Sequence, residues 1–541
     1  MLGNMMQYPL TLTHFLERAG HLFGDVELVS RKPDGSIHRT RYADFYRRAR
    51  GLGAALQKAG VHRGDRVATL MWNGYRHLEC YFAIPAIGAV LHTLNLRLHP
   101  DELAYIVNHA EDRVIIVEDV LLPLLESFRA QVKPERIIVA RNSEEATTYE
   151  DYESFVESGG EIRYADLDEN DACALCYTSG TTGKPKGVLY SHRALALHSM
   201  AMAQVDCFAI SNADVVLPAM SMFHANAWGV PFAAVMVGSK IVFPGRMVDA
   251  CSLLELIDKE GVTFSGAVPT VWLAVAQALE AEPKRWKTAG MRCVVAGSAC
   301  PESLIRRLDA HSIRVMQAWG LTETSPIATL SYLRPDQKHL NADEQYRVRS
   351  RQGPAVPFVD MRTIGDEGEA AWDDQALGEV QVRGPWIASS YFRAEDQRDK
   401  WTDDGWFRTG DVGAIDEDGS MRIADRTKDL IKSGGEWISS VDLENAIVGH
   451  PDVAEAAVVA VPHPKWAERP LAVVVPRTGA KVSCEQLREY LLTHCAFAKW
   501  QLPDDFCFVS ELPHTSTGKL LKTALRKQYA EWKWSAASSG Q

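Results

Sequence analysis

The densest chemistry in the chain lies at residues 177–187, YTSGTTGKPKG. Gly180, Gly183 and Gly187 alternate with Thr178, Ser179, Thr181 and Thr182, and Lys184 and Lys186 close the run. Glycine permits positive φ and close backbone approach, so successive N–H groups can turn inward as a nest, and the hydroxyls and ammonium groups add donors for an anion. The stretch reads as a phosphate cradle. It is not the G-x-x-x-x-G-K-[ST] loop, because TTGKPKG follows Gly180 and Pro185 opposes a helix starting there. An ordinary Gly/Thr-rich turn shares the composition but not the combination of glycines, hydroxyls and lysines over eleven residues.

The elements that must hold such a loop are legible around it. DACALCYT (171–178) reads as a strand feeding directly into the cradle. Upstream, YADFYRRARGLGAALQKAG (42–60) has helical spacing before the strand RVATLMW (66–72), and helices are expected over RHLECYFAIPAIGAV and PDELAYIVNHAED before RVIIVED. The alternation resumes from His192 to Gly320, through DVVLPAM, SKIVFPG, VTFSGAVPT, RCVVAGS and RVMQAWG as strands. This rhythm implies an α/β fold with largely parallel sheets, whose sites lie at the carboxyl ends of strands. YTSG, VAGS and AWG are therefore placed to converge.

From about residue 350 to 427 short alternating strands such as GEVQVRGP and SMRIADR indicate a β-rich subdomain. The remainder reads as a small α+β unit, with a boundary near Lys428 and a capped helix opening at Ser439 through Asp442. The expected division is a large N-terminal domain over 1–427, a hinge at 428–432 and a small lid over 433–541.

Composition narrows the partners. With 58 basic and 70 acidic residues the net charge is −12, which argues against nucleic acid or an anionic membrane as a bulk partner. Ten cysteines are scattered through apolar runs rather than framed as a disulfide scaffold, and Cys173 and Cys176 read as buried thiols despite their C-x-x-C spacing. The N-terminus lacks a basic segment before an apolar run of roughly 7–15 residues, and no run approaches ~18 apolar residues. A cytoplasmic protein without a membrane span is expected.

Five motifs in order, YTSGTTGKPKG, WGLTE (319–323), GWFRTGD (405–411), DRTKDLIKSGGEWISSVDLE (425–444) and PHTSTGK (513–519), resemble the signature set of the adenylate-forming superfamily, which includes acyl-CoA synthetases, luciferases and peptide-synthetase adenylation domains. Within it, MFHANAW (222–228), HPKWAERPLAVVVP (463–476) and FAKWQLP (497–503) resemble bacterial medium- and long-chain fatty acyl-CoA synthetases. The resemblance implies two half-reactions. A carboxylate attacks the α-phosphate of ATP to give acyl-AMP and pyrophosphate; the thiol of coenzyme A then displaces AMP. The first step needs no general base, since the carboxylate is already ionised, and its main requirement is positive charge that holds two anions together.

The resemblance also implies roles. Residues 177–187, with Ser179, Gly180, Thr181, Thr182, Gly183 and Lys186, would grip the β- and γ-phosphates, and Thr178 and Glu323 would hold Mg²⁺, as a hydroxyl and a carboxylate suit a hard cation. Trp319 stands where relatives usually carry tyrosine, beside adenine, with Gly320 and Thr322 on the same wall. Asp411 would accept both ribose hydroxyls and Arg426 would reach the ribose or phosphate. Lys519 would bridge the substrate carboxylate and the α-phosphate from the small domain, whereas Lys522 nearby reads as a solvated lysine. Rotation about Lys428 would then bring Gly434, Gly435 and Trp437 to the pantetheine tunnel, where glycines let a slender chain pass.

For the acid itself, His224 replaces the aspartate with which peptide-synthetase domains pair an amino acid's ammonium, and it reads as lying on a strand end. A simple carboxylic acid is implied, toward which His224 could donate. Trp228 resembles the gate of a fatty-acyl tunnel, and Val268, Ala296, Gly297 and Ser298 leave room for an apolar tail. The expected activity is an ATP- and Mg²⁺-dependent fatty acyl-CoA synthetase, working as a homodimer as its relatives do. Its rivals are a ligase for short, branched, thioether or aryl acids, an acyl-AMP ligase serving a carrier protein, and a non-catalytic nucleotide-binding protein.

Overall fold

The computed structural model describes residues 1, 3–143, 147–178, 184–288, 290–433, 436–495, 497–514 and 520–534, with backbone alone at 436 and 437. Two large sheets organise the first 330 residues. One has seven strands in the order Glu150–Asp151, Arg136–Ala140, Asp112–Glu118, Arg66–Leu70, Val90–Thr93, Ala172–Tyr177, Gly187–Ser191. All its pairs are parallel except the last. Strands covered on both faces become continuous apolar runs, and Ala172–Tyr177 is buried at every position from Cys173 onward. Burial pushes the Cys176 thiol up to about 11, and all ten cysteines are free.

The second sheet has eight strands, Thr329–Leu330, Arg314–Trp319, Arg292–Val295, Phe264–Ala267, Val215–Pro218, Lys240–Phe243, Glu27–Arg31 and Ile37–Arg41. Its interior is parallel and antiparallel partners close both edges. The N-terminal chain thus completes a sheet whose other strands lie some two hundred residues later, a long-range pairing that local pattern does not reveal. A second difference lies at residues 87–93. The helical reading there ran on to Val90, but the helix Tyr75–Ala86 stops before Gly88, which takes φ +77°, and Val90–Thr93 is a buried strand. The apolar run hid the switch because helix and strand are both fully buried here.

A third, antiparallel sheet of five strands spans Asp360 to Arg426. Its strands Phe407–Ile415 and Met421–Arg426 place Asp411 directly opposite Arg426. The next strand, Ile431–Ser433, belongs to a different sheet, built on the hairpin Val453–His463 and Ala467–Pro476 and carrying its own apolar clusters. The helix Ser440–Val448 opens as its sequence dictates, with the Ser439 hydroxyl accepting the Asp442 N–H at 3.0 Å. Among the described residues, no helix is long and apolar enough to cross a membrane.

Candidate active site

The carboxyl ends of several parallel strands open into one cavity of about 390 Å³. Thr178 follows Ala172–Tyr177, Ala219, Met220 and Ser221 follow Val215–Pro218, Val268 follows Phe264–Ala267, Ala296 and Gly297 follow Arg292–Val295, and Gly320 follows Arg314–Trp319. The three glycine-bearing strand ends therefore do converge. The lining also includes the cations Arg97, Lys184, Lys186, Lys400, Arg426 and Lys428 and the apolar side chains of Trp228, Val248, Val271 and Ile327.

The polar lining has internal order. The Thr178 N–H donates to the Lys186 carbonyl at 2.9 Å, and the Lys186 N–H donates to Thr178 Oγ1 at 3.1 Å. These two bonds pin together the ends of the loop between them. Glu323 is 8 % exposed on the short turn Thr322–Thr324, and its Oε1 accepts the Tyr391 hydroxyl at 2.5 Å. Lys186 places Nζ 5.1 Å from the centre of the Tyr391 ring and bonds Gln397. The Lys428 ammonium is held below its usual pKa by partial burial and by the like charges of Arg426, Arg526 and Lys400. Such crowding of cations favours a polyanionic ligand.

A second cavity of about 280 Å³ is lined by Ser298, Gln317 and Trp319 from the second sheet and its strand ends, by Asp411 and Arg426 from the third, and by Asn445, His514, Leu520, Leu521 and Lys522 from the small unit. Gly297, Gly320, Arg426 and Lys428 face both cavities. Asp411, 5 % exposed, accepts Trp319 Nε1–H at Oδ2 (2.9 Å) while Arg426 Nε stands 3.4 Å from Oδ1. The sequence thus brought together an aromatic face, a buried carboxylate and a cation from three separate motifs. Gln317 adds a buried Oε1 with no hydrogen-bond partner among the described residues.

The acyl side contains a local surprise. His224 lies on no strand; Val215–Pro218 ends well before it, and the chain then takes a left-handed turn through Ala225, Asn226, Ala227, Trp228 and Gly229, with φ of 42°, 51°, 49°, 55° and 73°. Each L-residue pays about 1–2 kcal/mol for this hand. Buried contacts offset the cost: Asn226 Oδ1 accepts the Cys176 Sγ–H at 3.3 Å, tying the turn to the strand that feeds the cradle. His224 and Trp228 bracket the turn and both line the larger cavity.

One expectation for an isolated polar residue changes. Lys522 is not solvated: its side chain is 11 % exposed and its Nζ lies 2.8 Å from Glu444 Oε1. Arg97, Tyr391, Lys400 and Gln317 joined the site without having been singled out. For Arg97 the signal was present, a cation inside the apolar run LHTLNLRL, but Tyr391 carried none. The expected contributions of Ser179, Gly180, Thr181, Thr182, Gly183, Gly434, Gly435 and Lys519, and of the Trp437 side chain, lie outside the described residues.

Many known proteins resemble this chain in sequence and in fold. The model for AMP-binding enzymes matches residues 16–392, and that for the AMP-binding enzyme C-terminal domain matches residues 442–519. The chain belongs to the AMP-binding enzyme family. It is 53 % identical over 532 residues to a long-chain-fatty-acid–CoA ligase of Thermus thermophilus, covering 98 % of this chain and 97 % of that one. It is 43 % identical over 542 residues to a 3-methylmercaptopropionyl-CoA ligase of Ruegeria pomeroyi, covering 98 % and 99 %. The crystal structure of an anthranilate CoA ligase with anthranoyl-AMP superposes with a TM-score of 0.85 at 26 % identity, covering 96 % of this chain and 98 % of that one. Membership explains why cradle, carboxylates and small unit occur together on one α/β scaffold.

Proposed function

We propose that this AMP-binding enzyme is an acyl-CoA ligase, converting a medium- to long-chain carboxylic acid, ATP and coenzyme A into the acyl thioester, AMP and pyrophosphate. The observation that carries the reading is that cations, Lys186, Arg97 and Lys428, and apolar side chains, Trp228, Val268 and Ala296, line the same cavity. A fatty acid likewise joins an anionic head to an apolar tail. Similarity to the fatty-acid ligase of Thermus thermophilus supports it.

In the first half-reaction the acid's oxygen forms a bond to the α-phosphorus and the bond to the bridging oxygen of pyrophosphate breaks, with no proton moved. The task of the chain is to gather anions and offset the charge that shifts to the leaving group. Lys184 and Lys186 serve the pyrophosphate, and His224 donates toward the acid. Trp319, Gln317 and Asp411 hold adenine and ribose, with Arg426 alongside. Thr178 and Glu323, lining one cavity as a hydroxyl and a carboxylate, suit Mg²⁺, which would neutralise phosphate charge when bound. Lys519 is assigned to the acid and the α-phosphate. The flanking residues His514, Leu520 and Leu521 line the nucleotide cavity, which supports that assignment and an adenylate-forming orientation of the small unit.

In the second half-reaction the thiol sulfur forms a bond to the acyl carbon as the bond to AMP breaks. Rotation of residues 433–541 about 428–432 presents Gly434, Gly435 and Trp437 to the thiol arm. Each buried methylene of the tail contributes about 0.8 kcal/mol, so depth beyond Trp228 sets chain-length preference.

AMP release measured with coenzyme A across acids from acetate to stearate, including aryl and thioether members, tests the substrate class. A maximum among the medium and long chains is expected; a maximum at 3-methylmercaptopropionate would favour the second reading, which the Ruegeria similarity supports. Lys519→Ala should largely abolish adenylate formation while transfer from preformed acyl-AMP survives. Equal loss of both would remove Lys519 from its role.

A further inference from the structure

Lys522, Ser440 and Asp425 form a buried chain of polar groups that the two half-reactions as described do not use. Asp425 is 2 % exposed on the strand Met421–Arg426, beside Arg426, and its Oδ2 accepts both the Ser440 N–H at 3.0 Å and the Ser440 hydroxyl. Ser440 is fully buried, and its Oγ in turn accepts Lys522 Nζ at 2.5 Å. A hydroxyl has one donor and two lone pairs, so Ser440 can relay between ammonium and carboxylate in one direction only. Lys522 also pairs with Glu444 Oε1 at 2.8 Å, and that oxygen accepts the Val458 N–H at 2.7 Å. Next to the relay, Ser439 Oγ donates to the Ala424 carbonyl at 2.5 Å.

These bonds fall into two groups. Lys522, Glu444 and Val458 all belong to the small unit and would travel together. Asp425 and Ala424 belong to the third sheet, so their bonds to Ser440 and Ser439 cross the hinge at Lys428 and must break when the small unit turns. Asp425, Glu444 and Lys522 also line the nucleotide cavity with Trp319 and Asp411. Two carboxylates and one ammonium with little access to water are strongly coupled to their hydrogen-bond partners, and loss of one leaves the others uncompensated.

We propose that Asp425, Ser440 and Lys522 are positioning residues for the first half-reaction, a lock that holds the small unit against the nucleotide wall in the adenylate-forming orientation and opens before thioester formation. The Lys522–Glu444 pair keeps the ammonium in place, and Ser440 converts it into a contact across the hinge. This inference rests on the ligase reading above.

The test separates the two halves of the reaction in Ser440→Ala and, as a second variant, Asp425→Asn. Carboxylate-dependent exchange of pyrophosphate into ATP and thioester formation from preformed acyl-AMP are each measured with the best acid of the panel, alongside the thermal midpoint. At least about tenfold loss of exchange is expected in both variants, with transfer unchanged or faster and Ser440→Thr restoring exchange. Exchange at the wild-type rate in both variants, or equal loss in both half-reactions, would overturn the lock while leaving the ligase intact. Absence of exchange in the wild-type protein would overturn the ligase reading, and the lock with it.

Discussion

Asp411 shows how one side chain acquires a specific task. Its strand partner Arg426 stands beside one oxygen and Trp319 Nε1–H bonds the other, so the carboxylate is held from both sides. On the proposed nucleotide-binding role, tryptophan in place of tyrosine keeps an aromatic face for adenine and also orients the ribose acceptor. Trp319→Phe retains the face and loses the donor. We expect KM for ATP to rise about tenfold with kcat changed far less, since hydrogen bonds to charged groups contribute about 1.5–3 kcal/mol. Initial rates of AMP release over a range of ATP concentrations check this.

At the scale of elements, the left-handed turn at 225–229 joins the two large sheets beside the site. It follows one sheet's strand, is tied through Asn226 to Cys176 on the other sheet, and sets His224 and Trp228 in the cavity. Gly229 is required there for two reasons. It holds φ +73°, and a Cβ would come within 2.6 Å of His198 Nδ1, on the helix His192–Ala203. Gly229→Ala should cost about 2 kcal/mol or more and lower the thermal midpoint, because strain and steric overlap add. Because the turn carries Trp228, the variant should also shift the preferred acyl length, which the acid panel detects.

At the scale of the molecule, folding and domain motion are separately testable. His198 is fully buried and its pKa is pushed down to about 3 from 6.5. The unfolded chain takes up that proton first, so the stability tied to the neutral ring is complete above about pH 6.5 and is lost as pH falls from there toward 3, by about 2 kcal/mol at pH 5. His198→Gln preserves an acceptor for the Ile327 N–H and does not titrate. Its thermal midpoint should fall less between about pH 7.5 and 5 than that of the wild type. The proposed rotation is tested at Lys428, whose carbonyl accepts Arg526 Nη1–H at 3.0 Å while Arg526 also bonds Asp429. Proline at 428 fixes φ and also removes a cavity cation, so Lys428→Pro should slow thioester formation at least about tenfold more than it slows pyrophosphate exchange.

The α/β class and most strands were set by local pattern, because burial on both faces of a parallel sheet demands continuous apolar runs. The ordered motifs also named Trp319, Asp411, Arg426 and Glu323, whose chemistry is intrinsic to their residue types. What the sequence by itself left open were contacts between residues far apart along the chain. Glu27–Arg31 pairs with Lys240–Phe243, and Tyr391 reaches Glu323 across sixty-eight residues. Lys522 looked like any solvated lysine until folding brought Glu444 and Ser440 to it. A lysine's type fixes its charge, but only tertiary structure decides whether water or a buried carboxylate faces that charge.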